Sequence, residues 1–233
     1  MSEDWKTAPV RTHGEVLSEH VALAGKRVLD VGCGNGHITR YVTERGGKAI
    51  GIDPGPRQLE RARAEAPAGD ESYVEGTGES LPEPDGGADV VVYFNSLHHV
   101  PTDRLDDALL DAGRVLRPGG TLYIAEPIAD GPMFQFQKAV NDETEVRALA
   151  YEAIGRAPAA GFEAVTETIY VADRPIGAFE DWRDNSVAVN PGRAGKIAAH
   201  EAELRANFEA FGEARGDGVH FPQPIRVNVL RKT

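Results

Sequence analysis

Apolar and polar positions along the chain follow two rhythms that take turns. Over residues 12–24, Val16, Leu17, Val21 and Leu23 recur at helical intervals behind Thr12 and Glu15, which have capping-box spacing, and Gly25 closes the run. Val28, Leu29 and Val31 then form a short apolar run of strand formers. A second helical face follows over 37–45, with Ile38, Tyr41 and Val42 on one side and Gly46 and Gly47 as the stop, and residues 48–52 read as the next strand. The same alternation predicts a helix over 57–66, strands over 71–75 and 89–95, and a helix over 103–116 whose inner stripe is Leu105, Leu109, Ala112 and Leu116. A turn at 116–120 leads to a strand over 121–125. The strand at 89–95 is apolar on both faces, as expected of one covered on both sides, and the alternation as a whole implies a doubly wound α/β sheet.

Beyond residue 126 the rhythm loosens. A helical face fits 141–160 through Val146, Leu149, Ala150, Ala153 and Ile154, strands are predicted over 166–171 and 225–230, and helical patterns at 179–187 and 195–211 fill the stretch between them. A connection so long, with its own helices, suggests a lid, a wall of a substrate pocket or a dimer contact.

Composition narrows the class. With 233 residues the chain has room for one sizeable α/β domain with an insertion; 41% hydrophobic and 27% charged positions are those of a globular protein. The net charge of −12 and the lack of clustered lysine and arginine argue against a nucleic-acid partner. The single cysteine, Cys33, excludes an intrachain disulfide and a multi-cysteine metal site, so no metal is expected. A small residue tolerated between two glycines is a better account of it than a nucleophile. A polar N-terminus unlike a signal peptide, and no apolar run approaching a membrane span, lead us to expect a cytoplasmic protein.

The candidate chemistry begins at the end of the first strand, in V-L-D-V-G-C-G-N-G. Gly32, Gly34 and Gly36 give a sharp turn between strand and helix, where backbone N–H groups can approach a ligand closely. A dinucleotide fingerprint would want glycine at 37, where this chain has His37. Asp30 would repel a pyrophosphate, whereas it suits a ligand carrying an ammonium and a sulfonium, namely S-adenosylmethionine. Asp53, ending the second strand ahead of Pro54, is placed to accept hydrogen bonds from two ribose hydroxyls; the bland alternative is a helix cap. A nicotinamide-dependent dehydrogenase and a non-catalytic module that senses the cofactor remain the alternatives.

The D-x-G-x-G-x-G pattern of residues 30–36 resembles the first motif of the class I S-adenosylmethionine-dependent methyltransferases, and residues 25–130 resemble that family well. The resemblance implies a Rossmann-like, mostly parallel seven-stranded sheet of order 3-2-1-4-5-7-6, its last strand antiparallel, with helices on both faces and a helical insertion between the last two strands. It implies a single domain with a cap helix over 1–25, a cofactor-binding core over 26–173, the insertion over 174–218 and a final strand over 219–233.

It also makes residues 76–82 the loop at the adenine edge, with Thr77 and Gly78 as contacts. Position 77 is commonly aspartate in the family, and Thr77 is a weaker acceptor. Asn95, at the exit of the fourth strand, joins the cofactor set, and Ser96 to Val100 is a further family hallmark. S-adenosyl-L-methionine is then the cofactor, S-adenosyl-L-homocysteine the product and a small molecule the partner, with a homodimer possible. His98 and Glu126, at the ends of neighbouring strands, are candidates for a base and the carboxylate that orients it; the alternative is that both serve packing and capping. His99 is the runner-up base, and His220 reads as structural. Met133, Phe134, Phe136 and Trp182 could line an apolar pocket or belong to the core.

Overall fold

A computed structural model describes residues 3–173 and 175–233. The first two residues and position 174, where the insertion was expected to begin, lie outside it. The elements, in chain order, begin with α1 (His13–His20), β1 (Arg27–Val31), α2 (His37–Glu44), β2 (Lys48–Asp53), α3 (Pro56–Ala64) and β3 (Ser72–Glu75). Then come β4 (Ala88–Phe94), α4 (Leu105–Val115), β5 (Leu116–Pro127), α5 (Pro132–Gln137), α6 (Thr144–Arg156) and β6 (Phe162–Ala172). The chain closes with β7 (Pro175–Ile176), α7 (Phe179–Val189), α8 (Arg193–Ala199), α9 (Glu201–Phe211), β8 (Glu213–Arg215), β9 (Gly218–His220) and β10 (Gln223–Lys232).

The seven-stranded sheet has the order β3-β2-β1-β4-β5-β10-β6, which is the expected topology once β10 is read as the seventh strand; the sheet is mixed and its last strand antiparallel. β1 pairs in parallel with β2 and with β4, which places Asp30 opposite Gly51 on one side and Val92 on the other. Val28, Leu29, Val91 and Val92 are fully buried, as befits central parallel strands. Residues 117–120, expected as a turn before the fifth strand, form an excursion inside it. Ala88 pairs with Leu116 and Val90 with Thr121, so Arg117 to Gly120 loop out of register, and Gly119 takes φ +73°.

By internal contacts the chain divides into two units. One comprises residues 13–126, 146–168 and 226–233. Its core is aliphatic, built on Leu29, Ile52, Val91, Leu109, Leu122 and Leu230. The other comprises residues up to 12, 127–145 and 169–225. Its core is aromatic: Phe136 stacks on Phe221 with centroids 4.8 Å apart and packs against Trp182 at 4.6 Å. Phe136 and Trp182 are therefore core residues of that unit, packed among Phe179 and Phe208. The small antiparallel sheet β7-β9-β8 belongs to the same unit. Among the described residues, no helix is long and apolar enough to cross a membrane.

Candidate functional site

The glycine loop is held from below by its neighbouring strand. The N–H groups of Gly32 and Cys33 both donate to the carbonyl of Ile52, at 2.7 and 3.0 Å. Gly32 has φ +72° and a Cβ there would overlap Ser96 Cβ, so no other residue fits the close approach of loop and β4 exit. Gly34, at φ +54°, has open space where its side chain would be. Asp53 organises the same loop: its Oδ2 accepts the Gly34 N–H at 2.9 Å and its Oδ1 accepts the Gly55 N–H at 2.8 Å. Each carboxylate oxygen has a further lone pair, the requirement for gripping a vicinal diol.

Asp30 lies beneath the loop, 1% exposed, with Oδ2 accepting the Thr39 hydroxyl at 2.6 Å. Burial pushes its pKa up to about 6, against the opposing effect of the hydrogen bonds from Thr39, and nearby Asp53 adds to the rise. The same burial, with Asp30 and Asp53 beside it, holds the Cys33 thiol far above its ordinary pKa, so it is no nucleophile.

At the exit of β4 the backbone is set by side chains from distant segments. Ser96 Oγ donates to the carbonyl of Val31 at 2.6 Å, and the Tyr93 hydroxyl donates to the carbonyl of Gly78 at 2.9 Å, fastening the 77–80 turn. Glu126 Oε1 accepts the N–H groups of Ser96 and Leu97, at 3.0 and 2.8 Å, while Oε2 is hydrogen-bonded to His98 Nδ1. A carboxylate oxygen accepts, so the proton of that bond sits on Nδ1. The His98 ring, 4% exposed, packs on that of His99 with centroids 4.1 Å apart. Asn95 is the non-glycine residue with positive φ, at 51°, among those described, and its buried Oδ1 has no hydrogen-bond partner.

These segments surround a cavity of about 570 Å³ beyond the carboxyl ends of β1, β2 and β4. Of the residues expected from sequence, Gly32, Gly34, Asp53 and Pro54 line one part, and Thr77, Gly78 and Asn95 another. Asp30 and Gly36 do not; Gly36 packs on Tyr73. His98 and Glu126 meet as expected but are not among the residues that line this cavity, whereas His99 is. Sequence reading missed Tyr93, Gln58 and Glu79 as lining residues. The signal for Tyr93 was a hydroxyl in an otherwise apolar strand, which needs a partner when buried.

Residues 29–124 match the family model described as "Methyltransferase domain". The chain is 39% identical over 114 residues to the ubiquinone biosynthesis O-methyltransferase of Nitrosococcus oceani, 48% of each chain, and 35% identical over 130 residues to the malonyl-[acyl-carrier protein] O-methyltransferase of Pectobacterium atrosepticum, 55% of this chain and 49% of that one. It spans about half the length of the curated relatives it matches. A solved putative methyltransferase from Bacillus halodurans superposes with a TM-score of 0.63 at 23% identity, covering 94% of this chain and 98% of that one; at such identity the likeness is one of fold. Residues 29–124 are thus similar to a methyltransferase domain, and the fold around them is one that solved methyltransferases share.

The residues around the cavity fit S-adenosylmethionine, the methyl donor that the matched domain implies. Asn95 Oδ1 is a buried acceptor that needs a donor, the Gly34 side of the loop is open, and Asp53 retains two lone pairs for hydroxyls. Among the described residues that line the cavity there is no lysine or arginine to attract a pyrophosphate.

Proposed function

We propose that the protein transfers a methyl group from S-adenosylmethionine to an oxygen or nitrogen atom of a small molecule, with His98 as general base and Glu126 as the group that orients it. Bound S-adenosylmethionine supplies a methyl group on a positive sulfur, which leaves readily to a nucleophile placed in line. The chain's residues have the tasks of holding the donor, aligning the acceptor and excluding water. Alignment alone is worth ~7–11 kcal/mol of barrier. Asp53 would take the ribose, Thr77 and Gly78 the adenine edge, Asn95 a donor group, and Asp30 the field that favours a cation.

The observation that carries the reading is the Glu126 carboxylate, which fixes the strand exit through two N–H groups and the His98 tautomer through Nδ1. A hydroxyl acceptor benefits from such a base, whereas an amine needs only to arrive neutral. The names of the two relatives, both O-methyltransferases, lean the same way. We assign residues 174–218 to acceptor selection or self-association, and the protein, with its one inert thiol, to the cytoplasm. The test is incubation of labelled S-adenosylmethionine with fractionated metabolite extract, following the label. Transfer to a hydroxyl that collapses in His98→Ala supports the reading; full turnover by that variant removes the base, and no transfer from any fraction removes the activity.

A further inference from the structure

The carboxylates that line the cavity differ in how they are engaged. Asp53 gives a lone pair of each oxygen to a backbone N–H, whereas Glu79, half-buried in the 77–80 turn, has no hydrogen-bond or ion-pair partner among the described residues. Glu79 lines the cavity together with Tyr93, and its charge is among the causes, after burial and Asp111, that raise the pKa of the buried Tyr93 hydroxyl. An unengaged carboxylate on a wall that also carries the partnerless Asn95 Oδ1 is suited to a ligand with donors and positive charge.

We infer that Glu79 is a specificity-determining residue that makes the cavity prefer the cationic methyl donor over its neutral product. The inference rests on the donor reading given above. A cavity of about 570 Å³ is on the order of 8 Å across, about one Debye length at physiological ionic strength, so a cation held anywhere within it feels Glu79 incompletely screened. In a partly solvated cavity such a pair should alter affinity about two- to fivefold, and only for the charged ligand. Donor and product are otherwise near-identical in shape, so shape complementarity alone separates them weakly. A preference for the donor lets product leave while donor is still abundant, which relieves product inhibition.

Isothermal titration of wild type, Glu79→Gln and Glu79→Asp with S-adenosylmethionine and S-adenosylhomocysteine, at low and at physiological salt, tests the idea. Glu79→Gln should weaken the sulfonium ligand two- to fivefold and leave the thioether ligand unchanged, while Glu79→Asp keeps the wild-type ratio. Added salt should narrow the ratio in wild type and leave it flat in Glu79→Gln. A Glu79→Gln variant that shifts both ligands equally, or neither, overturns the inference and leaves the donor reading standing. Failure of wild type to bind either ligand overturns the donor reading, and the inference with it.

Discussion

The carboxylates around the glycine loop and the exit of β4 are treated in the opposite way to those beside His220. Asp30, Asp53 and Glu126 are met by hydroxyl, backbone N–H and imidazole groups. Asp173, whose side chain is 3% exposed, is met by the Arg215 guanidinium at 2.6 Å and by His220 Nδ1 at 3.1 Å, and Asp217 takes His220 Nε2 at 2.9 Å. Amide N–H groups solvate a carboxylate without cancelling its charge; a guanidinium cancels it. The first region keeps its negative charge beside the cavity, and the burial of Asp30 costs it stability. The second spends its charges on itself and is clasped together, which is the structural role expected of His220.

The largest effect expected from this contrast is catalytic. His98→Ala should lower kcat by about 10²- to 10⁴-fold at unchanged donor affinity, while His220→Ala leaves kcat alone, as measured by steady-state kinetics on the acceptor once identified. Asp30→Asn comes next. With the pKa raised to about 6 from 3.8, the ionised side chain costs the fold up to about 3 kcal/mol at neutral pH, so the variant should resist urea better than wild type, yet bind the donor about tenfold more weakly. A less stable variant would place Asp30 with the clasping charges and erase the contrast.

His220→Ala should lower Tm by a few degrees, because it leaves Asp173 and Asp217 short of a cation, and should leave donor binding intact. The smallest effects are in pH. Asp30 holds its proton more tightly folded than unfolded, so its contribution is complete below pH 3.8 and lost as pH rises through about 6. The gap between Asp30→Asn and wild type should therefore open over that interval and stay constant above it. The His220 pKa is also raised, first by the hydrogen bond it donates to Asp217 and then, against the effect of burial, by Asp173. Its contribution is complete below 6.5 and fades as pH climbs through the folded value, so the Tm deficit of His220→Ala should shrink in alkali. A deficit that persists undiminished would assign the effect to packing.

Local chemistry was legible in the sequence and long-range pairing was not. The five leading strands, the glycine loop and Asp53 could be read because each depends on a short run of residues: apolar strand formers, a turn that needs positive φ, a carboxylate at a strand end. The depth of Asp30 could not, since it depends on Thr39 reaching back across the loop. The strands β7, β8 and β9 have two or three residues each and exist only through pairings such as Pro175 with His220, which no periodicity announces. The helix expected over 195–211 breaks at His200, where φ is −113° and ψ 15°, although the apolar spacing runs through it. The one predicted over 141–160 is regular only at Thr144–Arg156 and ends in a 3-10 turn at Ala157–Ala160.

The position of Cys33 gives this molecule a reporter it did not have to be engineered to carry. Its sulfur is the sole thiol in the chain and lies buried within the glycine turn. Alkylating reagents can reach it only while that turn opens, so the labelling rate counts openings, and any molecule that seats against the turn should slow the count in proportion to its occupancy.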